Sequence, residues 1–190
     1  MFFLFRRFFK FLIITGIILG LGYSIFYSSP VQRIFYPLLY PEYIFSYAEK
    51  YQVDPYLVAA VIRAESRFFE RAESGSGARG LMQIMPDTAK WAADQLGLDF
   101  HREMLYEPEY NIRIGCWYLR QLLDTFQGNL VLVLAAYNAG QGNVRRWLKE
   151  GLWDGSLTEL YRIPFTETRF YVWKVLRYYQ RYQVLYDKTK

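Results

Sequence analysis

Cysteine and histidine are nearly absent from this chain of 190 residues, which has one of each, Cys116 and His101. A single cysteine excludes an intramolecular disulfide, and one Cys with one His cannot supply a Cys/His zinc site. Cys116 falls inside a helical pattern over 107–126 and reads as a small buried hydrophobe. Nucleophilic Ser–His chemistry would have to recruit His101, which stands in a polar connector beside Arg102. Acids are missing from the N-terminal fifth: none precedes Glu42, whereas Arg6, Arg7 and Lys10 lie within the first ten residues. Without those three bases, 20 basic residues face 18 acidic ones. The net charge of +5 therefore belongs mostly to the leader, and no concentrated basic patch points to nucleic acid.

What the chain has in quantity is apolar and aromatic surface. It is 53% hydrophobic and 20% aromatic, with 18 Tyr and 5 Trp, which excludes a disordered chain. The length suits one compact domain. A helical core uses only part of the aromatics. The remainder suits a membrane interface or a carbohydrate groove, where a ring offers an apolar face and a polar edge.

The one long uncharged run is "FLIITGIILGLGYSIFY", residues 11–27. With Phe8 and Phe9 it approaches the ~20 apolar residues that cross a bilayer. A cleaved signal peptide is the rival, but the exit "SIFYSSP" carries no Ala-x-Ala pattern and no cysteine for lipid attachment. Residues 1–28 are read as an uncleaved anchor, a single transmembrane helix. Its basic flank keeps the N-terminus in the cytoplasm and places the rest outside. Residues 29–41, with three prolines in the surrounding "SSPVQRIFYPLLYPE", read as a tether, and 42–190 as the domain.

That domain is expected to be all-α. Asp54 followed by Pro55 is an N-cap signature for a helix to about Ser66. "MPDTAKWAADQLG" stops at Gly97, and Ile112, Cys116, Leu119 and Leu123 recur at helical spacing. Asn129 can cap "LVLVLAAYNAG", a shorter helix lies in "NVRRWLKE", and a long one runs from about Thr166 to Tyr186. No segment alternates as a strand would, and no internal repeat is present.

One residue breaks the pattern. Val58, Val61, Ile62 and Glu65 share a helix face, so Glu65 stands where an apolar stripe should continue. Burial there would raise its pKa, as a glycosidic general acid requires; lysozyme is the standard case. Spacing alone leaves open that Glu65 swings to solvent or pairs with Arg63, Arg67 or Arg71. "SGSGARG" (74–80) follows, and its three glycines allow backbone to approach a ligand closely.

Three motifs then occur in order: "ESRF…GARGLMQIMP", "AAYNAGQGNV" and "IPFTETRFYVWKV". In sequence and spacing they resemble those of the soluble-type (Slt) lytic transglycosylases, over about residues 42–187. The resemblance implies a goose-type, lysozyme-like helical fold with a substrate groove. It also implies that Glu65 is the single catalytic acid/base and that Ser66 completes a Glu-Ser pair. Ser74 falls where the family orients the N-acetyl or lactyl side of the sugar. Gln83 and Met85 match groove residues, and Tyr137 and Asn138 match the "AYN" pair, with the tyrosine hydroxyl near the carboxyl. Glu167 and Tyr171 match groove-lining residues of the last motif. Phe69-Glu70 stands where the family usually has Asn-Pro, and Gly75 where proline is common, so the groove rim and subsite preferences depart from the pattern.

The partners implied are peptidoglycan glycan strands, the membrane through the N-terminal helix, and unidentified cell-wall machinery; nucleic acid is not among them. By the resemblance, the bond between N-acetylmuramic acid and N-acetylglucosamine is cut without water, leaving a 1,6-anhydromuramoyl end, and neither a metal nor an organic cofactor is needed. Two rivals stay open. A hydrolytic muramidase would need a second carboxylate to hold water, with Asp87, Glu73 and Glu70 near enough in sequence. A non-catalytic wall-binding module would use the same groove without needing a buried acid.

Overall fold

The computed structural model describes residues 2–187. Residues 1 and 190, the outer bounds of the expected anchor and domain, therefore lie outside the described residues. The chain parts into two compact units between Leu38 and Leu39. Every named element is helical, and the only β pairing among the described residues is two isolated bridges in one loop.

The first unit holds α1 (Phe2–Phe26) and α2 (Ser29–Phe35). No single described helix is long and apolar enough to cross a membrane. Lys10–Phe26 and Ser29–Phe35 pass together by length and composition, bent by 60° at their break. The single helix expected over 11–27 is thus one limb of a bent pair. The stretch expected as a tether from 29 is partly helical as well. The break has a local cause: Pro30 brings no N–H to continue the ladder, and Ser28 Oγ donates to Ile25 O at 2.6 Å. Gln32, buried, donates across the break to Phe26 O at 2.7 Å.

The second unit opens with α3 (Pro41–Tyr51), then α4 (Pro55–Glu65) and α5 (Pro86–Leu96). α6 (Pro108–Thr125), α7 (Leu130–Ala139), α8 (Gln141–Lys149) and α9 (Thr166–Tyr186) follow. Short 3-10 turns lie at Arg102–Tyr106 and Leu160–Arg162. The caps work as the side chains dictate. Asp54 Oδ1 accepts from Tyr56 N at 2.8 Å, and Asn129 Oδ1 from Val131 N at 3.0 Å. Gly97, at φ 63°, ends α5 in the left-handed conformation.

α4 is the core helix. Leu57 through Ile62 are buried in succession, so α4 is enclosed on every side rather than along the one stripe its spacing suggested. Burial of each Leu, Val or Ile contributes ~1.5–3 kcal/mol. α9 packs along α4 and α7, and α3 packs on α6. Two long side chains of α9 grip opposite ends of α4. Tyr179 donates to the capping carboxylate of Asp54 at 2.7 Å, and Lys174 Nζ donates to Ala64 O at 3.0 Å. The two helices therefore run antiparallel, and the first turns of α9 fall beside Glu65.

Candidate active site

Glu65 is the last residue of α4 and lies half-buried on the wall of a cavity of about 410 Å³. Its pKa is pushed up to about 7. Burial is the chief cause, and the nearby Glu167 carboxylate adds to it. Tyr171 and the Lys174 ammonium act the other way. The Tyr171 hydroxyl lies close enough to the carboxyl to favour its charged form, although it completes no hydrogen bond of full geometry. A carboxyl so placed holds a proton near neutrality and can give it to a ligand oxygen.

The wall opposite is the 66–85 loop. The chain leaves α4 through two consecutive left-handed residues, Arg67 (φ 53°) and Phe68 (φ 67°). Such non-glycine conformations cost ~1–3 kcal/mol each, and the buried Phe68 ring helps to hold them. Ser66 Oγ donates to Leu81 O at 2.7 Å and lies within reach of Ile62 O at 3.2 Å. Further on, Arg79 pairs with both Glu73 and Ile84 in the two bridges, folding the loop back on itself.

Two of the three glycines have a conformational role inside the loop. Gly77 (φ 88°) makes the turn between Ser74 and Ala78. A Cβ on Gly80 (φ 77°) would lie 2.0 Å from Leu105 O and 2.3 Å from Asn111 Nδ2. The close approach allowed at Gly80 is therefore to the domain interior. Ser74, Ser76 and Ala78 of the same loop face the cavity.

Asn111 on α6, fully buried, was missed in the sequence reading. Its Oδ1 accepts from Met82 N at 2.8 Å, and its Nδ2 is shared between Leu105 O at 2.8 Å and Arg79 O at 2.9 Å. The signal available was a polar residue on the buried side of "EYNIRIGCW", where an unpartnered amide would be costly.

Of the nine residues singled out from the sequence, seven line this cavity: Glu65, Ser74, Gln83, Met85, Tyr137, Asn138 and Glu167. Ser66 and Tyr171 do not. Ser66 is spent on carbonyls of the protein, and Tyr171 is buried behind Glu65 with its ring parallel to that of Tyr137, centroids 6.5 Å apart. Burial pushes both tyrosine hydroxyls well above their ordinary pKa, so they remain proton donors. Gln83 (φ 48°) also turns partly inward, donating to Ala72 O at 3.0 Å and Gly80 O at 2.9 Å.

Asn138 Oδ1 accepts from Thr168 Oγ1 at 2.7 Å, which ties the end of α7 to the start of α9. A second chamber of about 260 Å³ shares Gln83, Met85 and Tyr137 with the first and continues past Thr88 and Tyr118. The two adjoining chambers form one groove that is longer than the cavity at Glu65 alone.

Lys174 is the other residue that sequence reading missed. Glu167, Tyr171 and Lys174 stand at i, i+4 and i+7, so one face of α9 presents all three to Glu65. That spacing was visible in "ETRFYVWK". The carboxylates that sequence proximity offered as a second acid lie elsewhere. Glu73 accepts from Tyr106 at 2.8 Å and pairs with Arg79 at 3.1 Å, and Glu70 accepts from Tyr40 at 3.0 Å. Asp87 sits in the first turn of α5, and none of the three lines the cavity.

Tyr137 donates its hydroxyl to Met82 O at 2.8 Å. Tyr137→Phe should therefore act through the loop, leaving that carbonyl unpaired at a cost of ~1–3 kcal/mol. Turnover is expected to fall more than ligand affinity, because the loop's register against Glu65 is what changes. Steady-state kinetics beside a binding isotherm check this. Weakened binding with unchanged turnover would mark the ring as a binding platform alone.

Residues 42–155 match the transglycosylase SLT domain family. The chain is 37% identical over 154 residues to the putative soluble lytic murein transglycosylase of Haemophilus influenzae, covering 80% of this chain and 26% of that protein. It is 36% identical over 115 residues to membrane-bound lytic murein transglycosylase C of Edwardsiella ictaluri, covering 52% of this chain and 30% of that one. Its fold resembles an inactive Glu-to-Gln mutant of the lytic transglycosylase Slt of Pseudomonas aeruginosa. The TM-score is 0.76 at 34% identity, over 90% of this chain and 30% of that one. The chain thus spans about a quarter of the length of the soluble curated relatives it matches.

Proposed function

Because the chain belongs to the transglycosylase SLT domain family, we propose that it is a peptidoglycan lytic transglycosylase with Glu65 as its single acid/base. The observation that carries this reading is one carboxyl, held protonated up to about pH 7, on the wall of a groove of two adjoining chambers. Glu65 gives its proton to the oxygen bridging N-acetylmuramic acid and N-acetylglucosamine, and the bond from C1 to that oxygen breaks. The carboxylate left behind takes the proton from the muramoyl C6 hydroxyl as O6 bonds to C1. Glu65 ends protonated, no water is consumed, and the muramoyl residue leaves as a 1,6-anhydro sugar. That a Glu-to-Gln mutant of the Pseudomonas aeruginosa Slt is inactive supports an essential glutamate in this chemistry.

Ser74, Gln83, Met85, Asn138 and Glu167 would contact or orient the sugars. Ser66, Tyr137 and Tyr171 would hold the acid and the loop in place. The presence of Glu167 in the same cavity gives one specific footing to a hydrolytic reading, with Glu167 holding a water opposite Glu65. Mass spectrometry of products from purified sacculi separates the two. Transglycosylation gives fragments one water lighter than hydrolysis, and fully hydrated ends throughout would overturn the proposal.

The domain acts from residue 42 onward, with residues 1–28 as a membrane anchor and 29–41 connecting them. The apolar run, its basic N-terminal flank and the membrane-bound relative support this arrangement. The catalytic domain then lies on the extracytoplasmic side. A periplasmic or surface-active reporter fused after residue 190 should be active. Activity of a cytoplasmic reporter only would reverse the topology, and recovery of a mature chain lacking 1–28 would replace the anchor with a signal peptide.

A further inference from the structure

α4 ends on its acid, and the last turn of any helix leaves carbonyls that its own ladder does not satisfy. Ser66 N still returns to Ile62 O at 3.0 Å, and the chain then turns away through the left-handed Arg67 and Phe68. Ala64 O, one residue before Glu65, accepts from Lys174 Nζ at 3.0 Å, a partner 110 positions away in sequence. The bond is partly buried, and the same ammonium stands 5.8 Å from the centroid of the Tyr171 ring. A cation is thereby fixed at the negative end of the helix dipole, next to the carboxyl that closes the helix.

The surroundings of Glu65 give that charge its weight. α9 brings Glu167, Tyr171 and Lys174 to it, and α7 brings the Tyr137 hydroxyl. The loop wall offers Ser74, Ser76 and Gln83, which do not titrate near neutrality. On α4 itself, Arg63 lies over the Tyr178 ring, 5.3 Å from its centroid. Among the described residues, Lys174 is the cation that acts on the Glu65 carboxyl, against burial and the Glu167 charge. It does not line the cavity, so it acts through Glu65 and not on substrate.

Both halves of the proposed reaction pass through one charged state. Once Glu65 has given its proton to the bridging oxygen, a half-buried carboxylate faces Glu167 until the C6 hydroxyl supplies a proton. Burial and like charge both disfavour that state, and a carboxyl left to them alone is a poorer acid in the first step.

We infer that Lys174 is a positioning residue for the acid/base: tied to Ala64 O, its ammonium fixes the end of α4 and is the counter-charge to the Glu65 carboxylate between the two proton transfers. The inference rests on the transglycosylase reading for the second transfer only.

The test uses the full chain with Lys174→Met, which keeps the stem of the side chain, and Lys174→Arg, which keeps its charge. On soluble glycan strands, Lys174→Met should lower kcat about three- to tenfold, with KM changed less than about twofold. Its alkaline limb should move up by about 0.5–1 pH unit, because without the cation Glu65 stays protonated to higher pH. Lys174→Arg should return the limb to its wild-type position and recover most of kcat. NMR of the Glu65 carboxyl carbon, assigned with Glu65→Gln, should show the same upward move without turnover. If Lys174→Met does not fold, Lys174→Gln, which can still donate to Ala64 O, is read in the same way. A limb and a Glu65 titration that stay in place in the folded uncharged variant overturn the inference, whatever the melting temperature does. An arginine variant that behaves as the methionine one overturns it too, since charge would then not be what matters. Fully hydrated products with the Glu65 shift intact would reject the transglycosylase reading and uphold Lys174 as the counter-charge.

Discussion

Glu65→Gln should abolish release of anhydromuropeptides while leaving the fold intact. The amide keeps the size of the side chain but can neither donate nor accept the catalytic proton. Loss of a positioned acid/base commonly costs ~10²–10⁴-fold, and here one group serves both halves of the reaction. Stability should move the other way. The unfolded carboxyl titrates near its ordinary 4.5, and the folded one at about 7. Between those values the folded chain keeps a proton that the unfolded chain has lost, so stability falls as pH rises across that window. Above it, the half-buried ionised carboxyl costs the wild type ~1–3 kcal/mol that the amide does not. Melting curves of the two proteins should coincide below about pH 4.5. They should separate in the variant's favour up to about pH 7 and run parallel beyond. Wild-type activity should decline as pH rises through about 7, because the first step needs the protonated acid. Residual activity within about tenfold of wild type would transfer the role to another carboxylate, Glu167 first.

The largest loss of stability is expected from a residue that touches no substrate. Asn111→Ala removes three hydrogen bonds at once and strands Met82 N–H and the Leu105 carbonyl, whereas Arg79 O keeps the N–H of Ile84. Each unpaired buried group costs ~1–3 kcal/mol, so a loss of ~2–6 kcal/mol is expected, a large part of a domain's stability. Asn111→Asp keeps the acceptor for Met82 N but sets a carboxylate against two carbonyl oxygens, and should be nearly as damaging. Denaturant midpoints check both, with the slope unchanged if the loss is in the folded state. Catalysis in the surviving folded fraction should also suffer, because the loop between Gly80 and Met85 is hung from this amide. A cost below 1 kcal/mol for Asn111→Ala would mean that the loop holds its own conformation.

Most helices of the domain were legible because their instructions are local. Asp54 and Pro55 begin α4, Gly97 stops α5, and Asn129 caps α7 within two or three residues of the groups they satisfy. The reading of residues 11–27 as one spanning helix was less complete. The apolar run is real, but the bend at Ser28 and Pro30 depends on where the backbone can continue its ladder, and composition does not record that.

The site divides along the same line. By itself the sequence determined that a carboxylate ends the central helix, that a glycine-rich loop follows, and that two further motifs lie downstream in the order of a known family. It could not show that Glu65 borders a cavity whose other walls come from α7, α9 and the 74–85 loop. Nor could it show that Gly77 serves a turn and Gly80 a close contact with the domain interior. Those facts depend on contacts between residues far apart in the chain: Lys174 on Ala64, Tyr137 on Met82, Asn111 under the loop. A helix repeat constrains neighbours three and four residues apart. Which face of α9 meets Glu65, and hence whether its carboxyl keeps a proton at neutral pH, is decided only when α9 packs antiparallel along α4 and takes the place of part of the surrounding water.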